Sequence, residues 1–236
     1  MKLSIVLAGR NDDYGGNYLK RMNRCIETLP KDVEIVFVEW NPTATTKPLS
    51  SEIGRHGVRV ITVPWDIHKS LEGWDLFPMY EYRAKNAGIQ RSTGDWVLVM
   101  NSDIELSESM RSKLAEEFDP SCIYRAHRHD FRDKELVQVC DGPGDFVLMS
   151  RNCWMELTGY PDLVSYTHID SLLLWNARQA GLTEVFLDSP IFHDEHDRSE
   201  HKNRWGIHSS DMPRFIGQRN EPGWGLKGIV LPEKTT

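Results

Sequence analysis

The amino-acid sequence predicts an α/β fold in which helices flank a mostly parallel sheet. In the first hundred residues, short apolar runs alternate with segments whose apolar side chains recur at helical spacing. Strands that alternate with helices form parallel sheets through right-handed crossovers. The second half has shorter strand candidates and weaker periodicity, so a more irregular structure is expected there.

The elements of the first half follow from local signals. Pro30 ends the first helix, because proline has no amide hydrogen to continue the helical ladder, and Asn41-Pro42 ends the second strand. The predicted strands cover residues 3–8, 33–40, 58–63 and 96–100, and the predicted helices cover residues 19–29, 50–56 and 81–91.

The second half predicts fewer regular elements. Short strands are expected over residues 123–126, 146–149 and 185–187, and one helix over residues 170–180, where Gly181 ends it. From His193 onward the chain is polar, rich in histidine and without periodicity, so an irregular tail is expected.

Composition narrows the class of protein. A net charge of −7 disfavours a nucleic-acid partner, which normally requires a basic surface. No apolar run reaches the roughly 18 residues of a membrane span, and the amino terminus has no signal-peptide pattern. The four cysteines are scattered without a Cys-x-x-Cys pair, which is typical of reduced thiols. These features predict a cytoplasmic protein; they say nothing about its oligomeric state.

The most informative segment is the apolar run over residues 96–100, which Asn101-Ser102-Asp103 follows directly. Open α/β sheets bind their ligands at the carboxyl ends of the strands. Asp103 is therefore a candidate ligand for a divalent cation that holds a diphosphate. The alternative is a plain turn after the strand, with Ser107 capping the next helix.

Five segments together resemble the GT-A-type glycosyltransferases of the family-2-like group. They are LSIVLAGRND, VEIVFVEWNP, KNAGIQRSTGDWVLVMNSD, GPGDFVLMSRNCWMELTGYPD and THIDSLLLWNARQAGL, and they follow the family's order over roughly residues 3 to 200. Each motif alone is unspecific. The resemblance implies a Rossmann-like GT-A-type sheet in a single domain, residues 1–236. Residues 1–103 would bind the nucleotide sugar, and residues 104–236 would form the acceptor-binding and catalytic half.

The same resemblance implies a metal-dependent glycosyltransferase. Its donor would be a nucleotide sugar, with UDP as the expected nucleotide, its acceptor a glycan or a lipid-linked hydroxyl, and its metal Mn2+ or Mg2+. The chain departs from the family pattern at four motifs, each of which keeps one competent residue. Asn101 replaces the first Asp of Asp-x-Asp, Ile169 replaces the Glu of Glu-Asp, Lys85 replaces an Arg, and Glu39-Trp40 replaces Asp-Asp.

A metal site around Asp103 needs further ligands, because a single carboxylate does not complete the coordination of a metal ion. The family often adds a late histidine, and His193 follows an apolar run directly. His196 is the second candidate, and Asp194, Asp197 and His201 lie nearby in sequence. The alternative for each is a surface loop. A self-contained zinc site is disfavoured, because a His-x-x-His spacing places both rings on one helix face less readily than a spacing of four.

Asp170 is the predicted general base, which an inverting transfer needs beside the acceptor hydroxyl. The alternative is an N-cap of the helix that begins there. His168 is predicted to shape the acceptor pocket. Asp145 is predicted to bind sugar hydroxyls, although a plain loop acid is equally consistent with the sequence.

The nucleotide contacts are expected near the strand ends. Gly9 permits close backbone approach, Glu39 would accept from the base or ribose, and Lys85 would face the base as its family position implies. Surface charge is the alternative for the basic residues. The full predicted set is Gly9, Arg10, Asn11, Glu39, Arg83, Lys85, Asn86, Asn101 and Ser102.

Three other functions remain open from the sequence. A retaining glycosyltransferase of the same fold also uses a late histidine ligand. A non-catalytic nucleotide- or carbohydrate-binding module would explain the loss of one acid from two motifs. Sugar-phosphate nucleotidyltransfer fits less well, because GRNDDYGGN lacks the glycine-rich basic loop that this chemistry requires.

Overall fold

The computed structural model describes residues 1–140, 144–165, 167–196 and 206–236. The strands are β1 (Leu3–Gly9), β2 (Glu34–Trp40), β3 (Val58–Val63), β4 (Trp96–Met100), β5 (Ile104–Leu106), β6 (Cys122–Arg132), β7 (Glu135–Cys140), β8 (Phe146–Ser150), β9 (Thr183–Asp194) and β10 (Glu233–Thr235). The helices are α1 (Tyr18–Thr28), α2 (Trp65–Lys69), α3 (Glu81–Arg91), α4 (Glu108–Lys113), α5 (Arg151–Leu157) and α6 (Ile169–Gln179).

A parallel core of four strands, in the order β3-β2-β1-β4, forms the first half. Its strands are continuously apolar because both faces of the sheet are covered. Met22 and Ile26 of α1 pack in the cluster on one face, and Ala84 and Ala87 of α3 pack in the cluster on the other. Gly88 lets α3 approach the sheet closely, since a Cβ there would lie 2.4 Å from Val6. This confirms the predicted α/β fold.

The second half extends the same sheet on the β4 side. Strand β8 pairs antiparallel with β4, β6 with β8, and β5 with β9, whereas β6 and β9 are parallel. Strand β7 adds an antiparallel hairpin partner to β6, and β10 covers the opposite edge at β3. The strand order is therefore β10-β3-β2-β1-β4-β8-β6-β9-β5 within the described residues.

Two predicted strands of the second half are parts of much longer ones. Residues 123–126 and 185–187 lie within β6 and β9, which have 11 and 12 residues. Charged and histidine side chains interrupt the apolar runs of both strands, so only their most apolar parts were predicted. His193 consequently belongs to β9, and the prediction that the irregular tail begins there was wrong.

Two further predictions of local structure need correction. The predicted helix over residues 50–56 is a single 3-10 turn over Leu49–Ser51. Helix α6 begins one residue before the predicted start, and its N-cap position is occupied by His168. None of the helices in the described ranges has the length and apolar composition that crossing a bilayer requires.

Candidate functional site

Asp103, His193 and His196 form a cluster at the carboxyl end of β4. One ligand atom from each residue lies within 4.8 Å of the others. The Asp103 Oδ2 atom is 3.0 Å from Nε2 of His196 and 4.0 Å from Nε2 of His193. The structure thus brings together the three residues that the sequence predicted as metal ligands, although about ninety positions separate Asp103 from the histidines.

Strand β5 explains why the cluster forms. The chain turns after β4, where the Ile104 amide donates to the Asn101 carbonyl, and then runs antiparallel to β9. Ile104 is the register partner of His193, so Asp103 is held next to that histidine. Ser107 also caps α4 as the alternative interpretation expected, by accepting from the Met110 amide. A capped turn and a metal-ligand cluster therefore coexist in one segment.

The charge state of Asp103 suits a cation site. Burial alone raises the pKa of this carboxyl, but the hydrogen bond to His196 and the nearby His193, His196 and Arg21 outweigh burial and lower the pKa below its usual value. Asp103 is therefore ionised at neutral pH. One carboxylate oxygen and two imidazole nitrogens form a donor set that binds divalent transition metals.

A network of hydrogen-bonded polar side chains leads from α3 to the cluster of Asp103, His193 and His196. The buried Lys85 ammonium donates to Glu81 at 2.6 Å and to the Asn101 side-chain oxygen. The Asn101 amide group donates to Asp145 at 2.6 Å, and Arg128 donates to the second Asp145 oxygen. Asn101 thus joins a cation to a carboxylate, a bridging role for which a neutral amide has both a donor and an acceptor.

Arg128 extends this network to Asp130, which contacts His193. The Arg128 Nη2 atom is 3.0 Å from Asp130, and Asp130 Oδ1 is 3.0 Å from Nδ1 of His193. Neither residue was predicted from the sequence, because residues 125–133 are mostly charged or histidine, a composition that is typical of a solvent-exposed segment. Burial of Asp130 was the missing information.

The formal charges of this network of side chains leave room for a divalent cation. Three cations, Lys85, Arg128 and the Arg21 near Asp103, face four carboxylates when the histidines are neutral, which leaves a net charge of minus one. The carboxylates are Glu81, Asp103, Asp130 and Asp145. Burial raises the pKa of Asp145, an effect that Arg128 and Lys85 partly offset.

The Asp170 carboxylate is unpaired within the part of the chain that the structure describes. It lies in the first turn of α6, but its side chain makes no hydrogen bond or ion pair with any residue in the described ranges. The N-cap alternative is therefore wrong, because His168 occupies that position with a φ of 63° and Asp170 stands two residues further on. Gly144, next to Asp145, packs against Asp170, since a Cβ on Gly144 would lie 2.4 Å from the Asp170 Cβ.

The residues around Asp170 are polar but protonated. Burial, and then the charge of Asp170, raises the pKa of the Tyr82 and Tyr160 hydroxyls well above the usual value. These hydroxyls stay neutral at physiological pH and lie close to the Asp170 carboxylate. His168 is half-buried at the start of the same helix.

Gly9 and Ser102 meet through Tyr18. The Tyr18 hydroxyl is 2.9 Å from the Ser102 hydroxyl, and a Cβ on Gly9 would lie only 1.7 Å from the same tyrosine oxygen. The sequence predicted that the nucleotide would approach the backbone at Gly9. In the structure Tyr18 fills the space above that glycine, next to the residue that precedes Asp103.

We therefore expect Gly9→Ala to destabilise the fold by about 1–3 kcal/mol, the usual cost of overpacking a buried site. Urea unfolding measures the change. Gly54→Ala is the matched control, because a Cβ there meets nothing closer than 3.7 Å, and its effect should stay within about 0.5 kcal/mol. Equal stabilities for the two variants would contradict the close contact between Gly9 and Tyr18.

Four predicted nucleotide contacts lie side by side at the ends of β1 and β2. Gly9 is the register partner of Glu39, and Arg10 and Asn11 follow β1. Arg10 donates to the Asn41 carbonyl at 2.7 Å, and Asn11 donates to the Lys47 carbonyl at 2.8 Å. These bonds tie the loop after β1 to the loop after β2.

Glu39 is already occupied by the protein. Its carboxylate is fully buried and accepts from the Leu49 amide at 2.8 Å and from the Thr62 hydroxyl at 3.4 Å. Burial raises its pKa, and these two hydrogen bonds partly counteract that effect. Glu39 therefore fixes the loop after β2, where a ligand contact would compete with those bonds.

Arg83 and Asn86 do not join the Asp103 cluster. Asn86 exchanges two hydrogen bonds with the backbone of Tyr160, at 2.8 and 2.9 Å, and Arg83 pairs with Asp162. Both line a cleft of about 470 Å³ whose other walls are residues 71–72, 161–162 and 218–226. Lys85, between them in sequence, points instead to Asn101.

Asp194, another candidate in the tail, is not part of the cluster. Asp194 pairs with Arg24 at 2.6 Å, which turns it away from Asp103. Asp197 and His201 lie outside the described residues.

Comparison with solved structures identifies the fold. No protein-family model and no curated protein matches this chain at the level of sequence. Residues 1–349 of TarS from S. aureus, solved in complex with UDP-GlcNAc, match with a TM-score of 0.61 and 13% identity, over 91% of this chain and 64% of that one. The mannosyltransferase PcManGT from Pyrobaculum calidifontis, in complex with GDP-Man and Mn2+, matches with a TM-score of 0.54 and 16% identity, over 81% and 56%.

The chain therefore spans less than two thirds of the length of these structures. At such low identity the likeness establishes the fold, and it confirms the predicted GT-A-type architecture.

Proposed function

We propose that the protein is a metal-dependent glycosyltransferase that moves a sugar from a nucleotide-sugar donor to a hydroxyl acceptor. The observation that supports this most directly is the cluster of Asp103, His193 and His196 at the carboxyl end of β4. The protein shares its fold with TarS, solved in complex with UDP-GlcNAc, and with the mannosyltransferase PcManGT, solved in complex with GDP-Man and Mn2+. The function is thus argued from a site and not from the fold alone.

Asp103, His193 and His196 would hold the metal. A bound divalent ion supplies charge neutralisation for the diphosphate that leaves during transfer. The negative formal charge around the site attracts such an ion, and Asp103 would supply the anionic ligand beside the two imidazoles. Lys85 adds a fixed positive charge next to Asn101.

The donor nucleotide, for which we propose UDP, would bind across the ends of β1, β2 and β4. Arg10, Asn11, Asn101 and Ser102 would supply polar contacts there, and Lys85 would bind as the family resemblance implies. Glu39 would bind only by exchanging its hydrogen bonds to Leu49 and Thr62 for the ligand. Arg83 and Asn86 have a weaker case, since they line a different cleft.

Asp170 would act as the general base of an inverting transfer. Its free carboxylate takes the proton of the acceptor hydroxyl while the hydroxyl oxygen bonds to the sugar carbon and the diphosphate departs from the opposite face. Asp145 and His168 would contact the acceptor or the transferred sugar. The proposed acceptor is a glycan or a lipid-linked hydroxyl.

The alternative is a non-catalytic module that binds nucleotide sugars. One observation favours it, because Asn101 stands where the family has a metal-binding carboxylate and is occupied by Lys85 and Asp145. Such a module would bind the donor without cleaving it. A retaining transferase is distinguished by the stereochemistry of the product.

The donor set predicts which metal binds. Two imidazoles favour Mn2+ over Mg2+, which prefers oxygen ligands. We expect calorimetry with the metal chlorides to give an affinity for Mn2+ at least about tenfold higher than for Mg2+. Equal affinities would contradict the participation of the two histidines, and His193→Ala should reduce the preference.

A thermal-shift screen tests the proposed function as a whole. A ligand present at 100 times its dissociation constant stabilises the folded state by about 2.7 kcal/mol. We expect one or more UDP-sugars to raise the melting temperature with Mn2+ and to have much less effect in EDTA. A screen in which no nucleotide sugar stabilises the protein with Mn2+ would contradict donor binding.

A further inference from the structure

We propose that Asp130 is a positioning residue that fixes the imidazole of His193 for metal binding. This inference rests on the metal site of the proposed function and adds a residue that the family pattern did not indicate. Asp130 lies on β6 as the register partner of His193 on the parallel strand β9. The two side chains therefore share one face of the sheet.

The hydrogen bond between them decides which ring nitrogen is free. Oδ1 of Asp130 is 3.0 Å from Nδ1 of His193, so a carboxylate acceptor assigns the ring proton to Nδ1. Nε2 then presents its lone pair on the side of the ring that faces Asp103, whose Oδ2 atom is 4.0 Å away. A metal-binding histidine is typically oriented by a carboxylate in this way.

Asp130 is itself held rigidly. It is 2% exposed, and its second oxygen, Oδ2, accepts from Arg128 Nη2 at 3.0 Å and from the Cys140 thiol at 3.5 Å. Both carboxylate oxygens are thus engaged. Oδ1 also lies 2.8 Å from Nε of Arg128, so the same arginine holds the carboxylate in the orientation that meets His193.

A purely structural role is the competing explanation, because Asp130 could serve only to neutralise Arg128. The two explanations differ in how mutations combine. If Asp130 acts through His193, its removal has no further effect on metal binding once His193 is absent. If it acts through the general stability of the strand, the two losses multiply.

The test is a double-mutant cycle on the affinity for Mn2+ alone, measured by calorimetry without nucleotide. We expect Asp130→Ala to weaken binding about 10–100-fold, the usual cost of losing such a partner. The Asp130→Ala/His193→Ala variant should bind no more weakly than His193→Ala. Asp188→Ala is the matched control, since Asp188 is an exposed acid on the same strand as His193, and it should bind like the parent. If the losses of Mn2+ affinity multiply in the double variant, the proposal is overturned.

A second measurement needs no variant. Nitrogen-15 NMR of the metal-free parent protein should show His193 with its proton on Nδ1. A proton on Nε2 would overturn the proposal even if every Asp130 variant failed to fold. A parent protein that binds no Mn2+ would contradict the proposed function, and the tautomer would still report the contact with Asp130 separately.

Discussion

The Asp170→Asn variant is expected to lose sugar transfer by about 10²–10⁴-fold, the typical cost of removing a general base. The amide cannot accept the proton of the acceptor hydroxyl, although its size is the same. Helix α6 should persist, because His168 occupies the N-cap position and the Asp170 side chain bonds to no other residue in the described ranges. The measurement is the initial rate of transfer at saturating donor.

Measurements of ligand binding and of thermal stability distinguish a general base from a residue with a purely structural role. The variant should bind the UDP-sugar and Mn2+ like the parent and melt within a few degrees of it. Asp188→Asn, at an exposed acid of β9, is the control and should transfer at the parental rate. Near-parental turnover by Asp170→Asn would show that another group takes the proton. A product that keeps the donor's anomeric configuration would exclude the inverting mechanism.

The second large effect is expected for Asp103→Ala, which should weaken Mn2+-dependent binding of UDP by well over tenfold. Asp103 supplies the carboxylate of the ligand cluster, and both histidines face its Oδ2 atom. Its removal leaves two neutral ligands, which hold a divalent cation poorly beside a diphosphate.

The control for Asp103→Ala is the same titration in EDTA, in which parent and variant should bind UDP equally weakly. Circular dichroism should show an intact fold, since the variant removes a buried charge and leaves strands β4 and β5 unchanged. An unchanged affinity for UDP in Mn2+ would contradict the assignment of Asp103.

The sequence predicted the parts of the site that depend on strand ends. Parallel strands bring their carboxyl ends to one edge, so Gly9, Glu39 and Asp103 were expected near one another before any contact was known. The strands of the parallel core are also strongly apolar, and all four were predicted to within about one residue of their ends. His193 and His196 joined Asp103 because the family pattern includes a late histidine.

The parts that sequence did not predict depend on pairing between distant strands. Asp130 meets His193 through the register of β6 and β9, which the composition of neither strand reveals. Arg83 and Asn86 were placed on the nucleotide side because they share a helix face, yet helical spacing does not say which neighbour that face contacts. In the structure they face Asp162 and Tyr160.

The most direct test of the account is the release of nucleotide diphosphate from nucleotide sugars in the presence of Mn2+. Glycosyltransferases transfer slowly to water when no acceptor is present, so an acceptor need not be known. We predict that the parent protein releases UDP from at least one UDP-sugar, that EDTA abolishes the release, and that Asp103→Ala and Asp170→Asn lower it. A parent protein that binds the nucleotide sugar tightly but releases no diphosphate beyond the level of Asp170→Asn would contradict a catalytic function and favour the binding module.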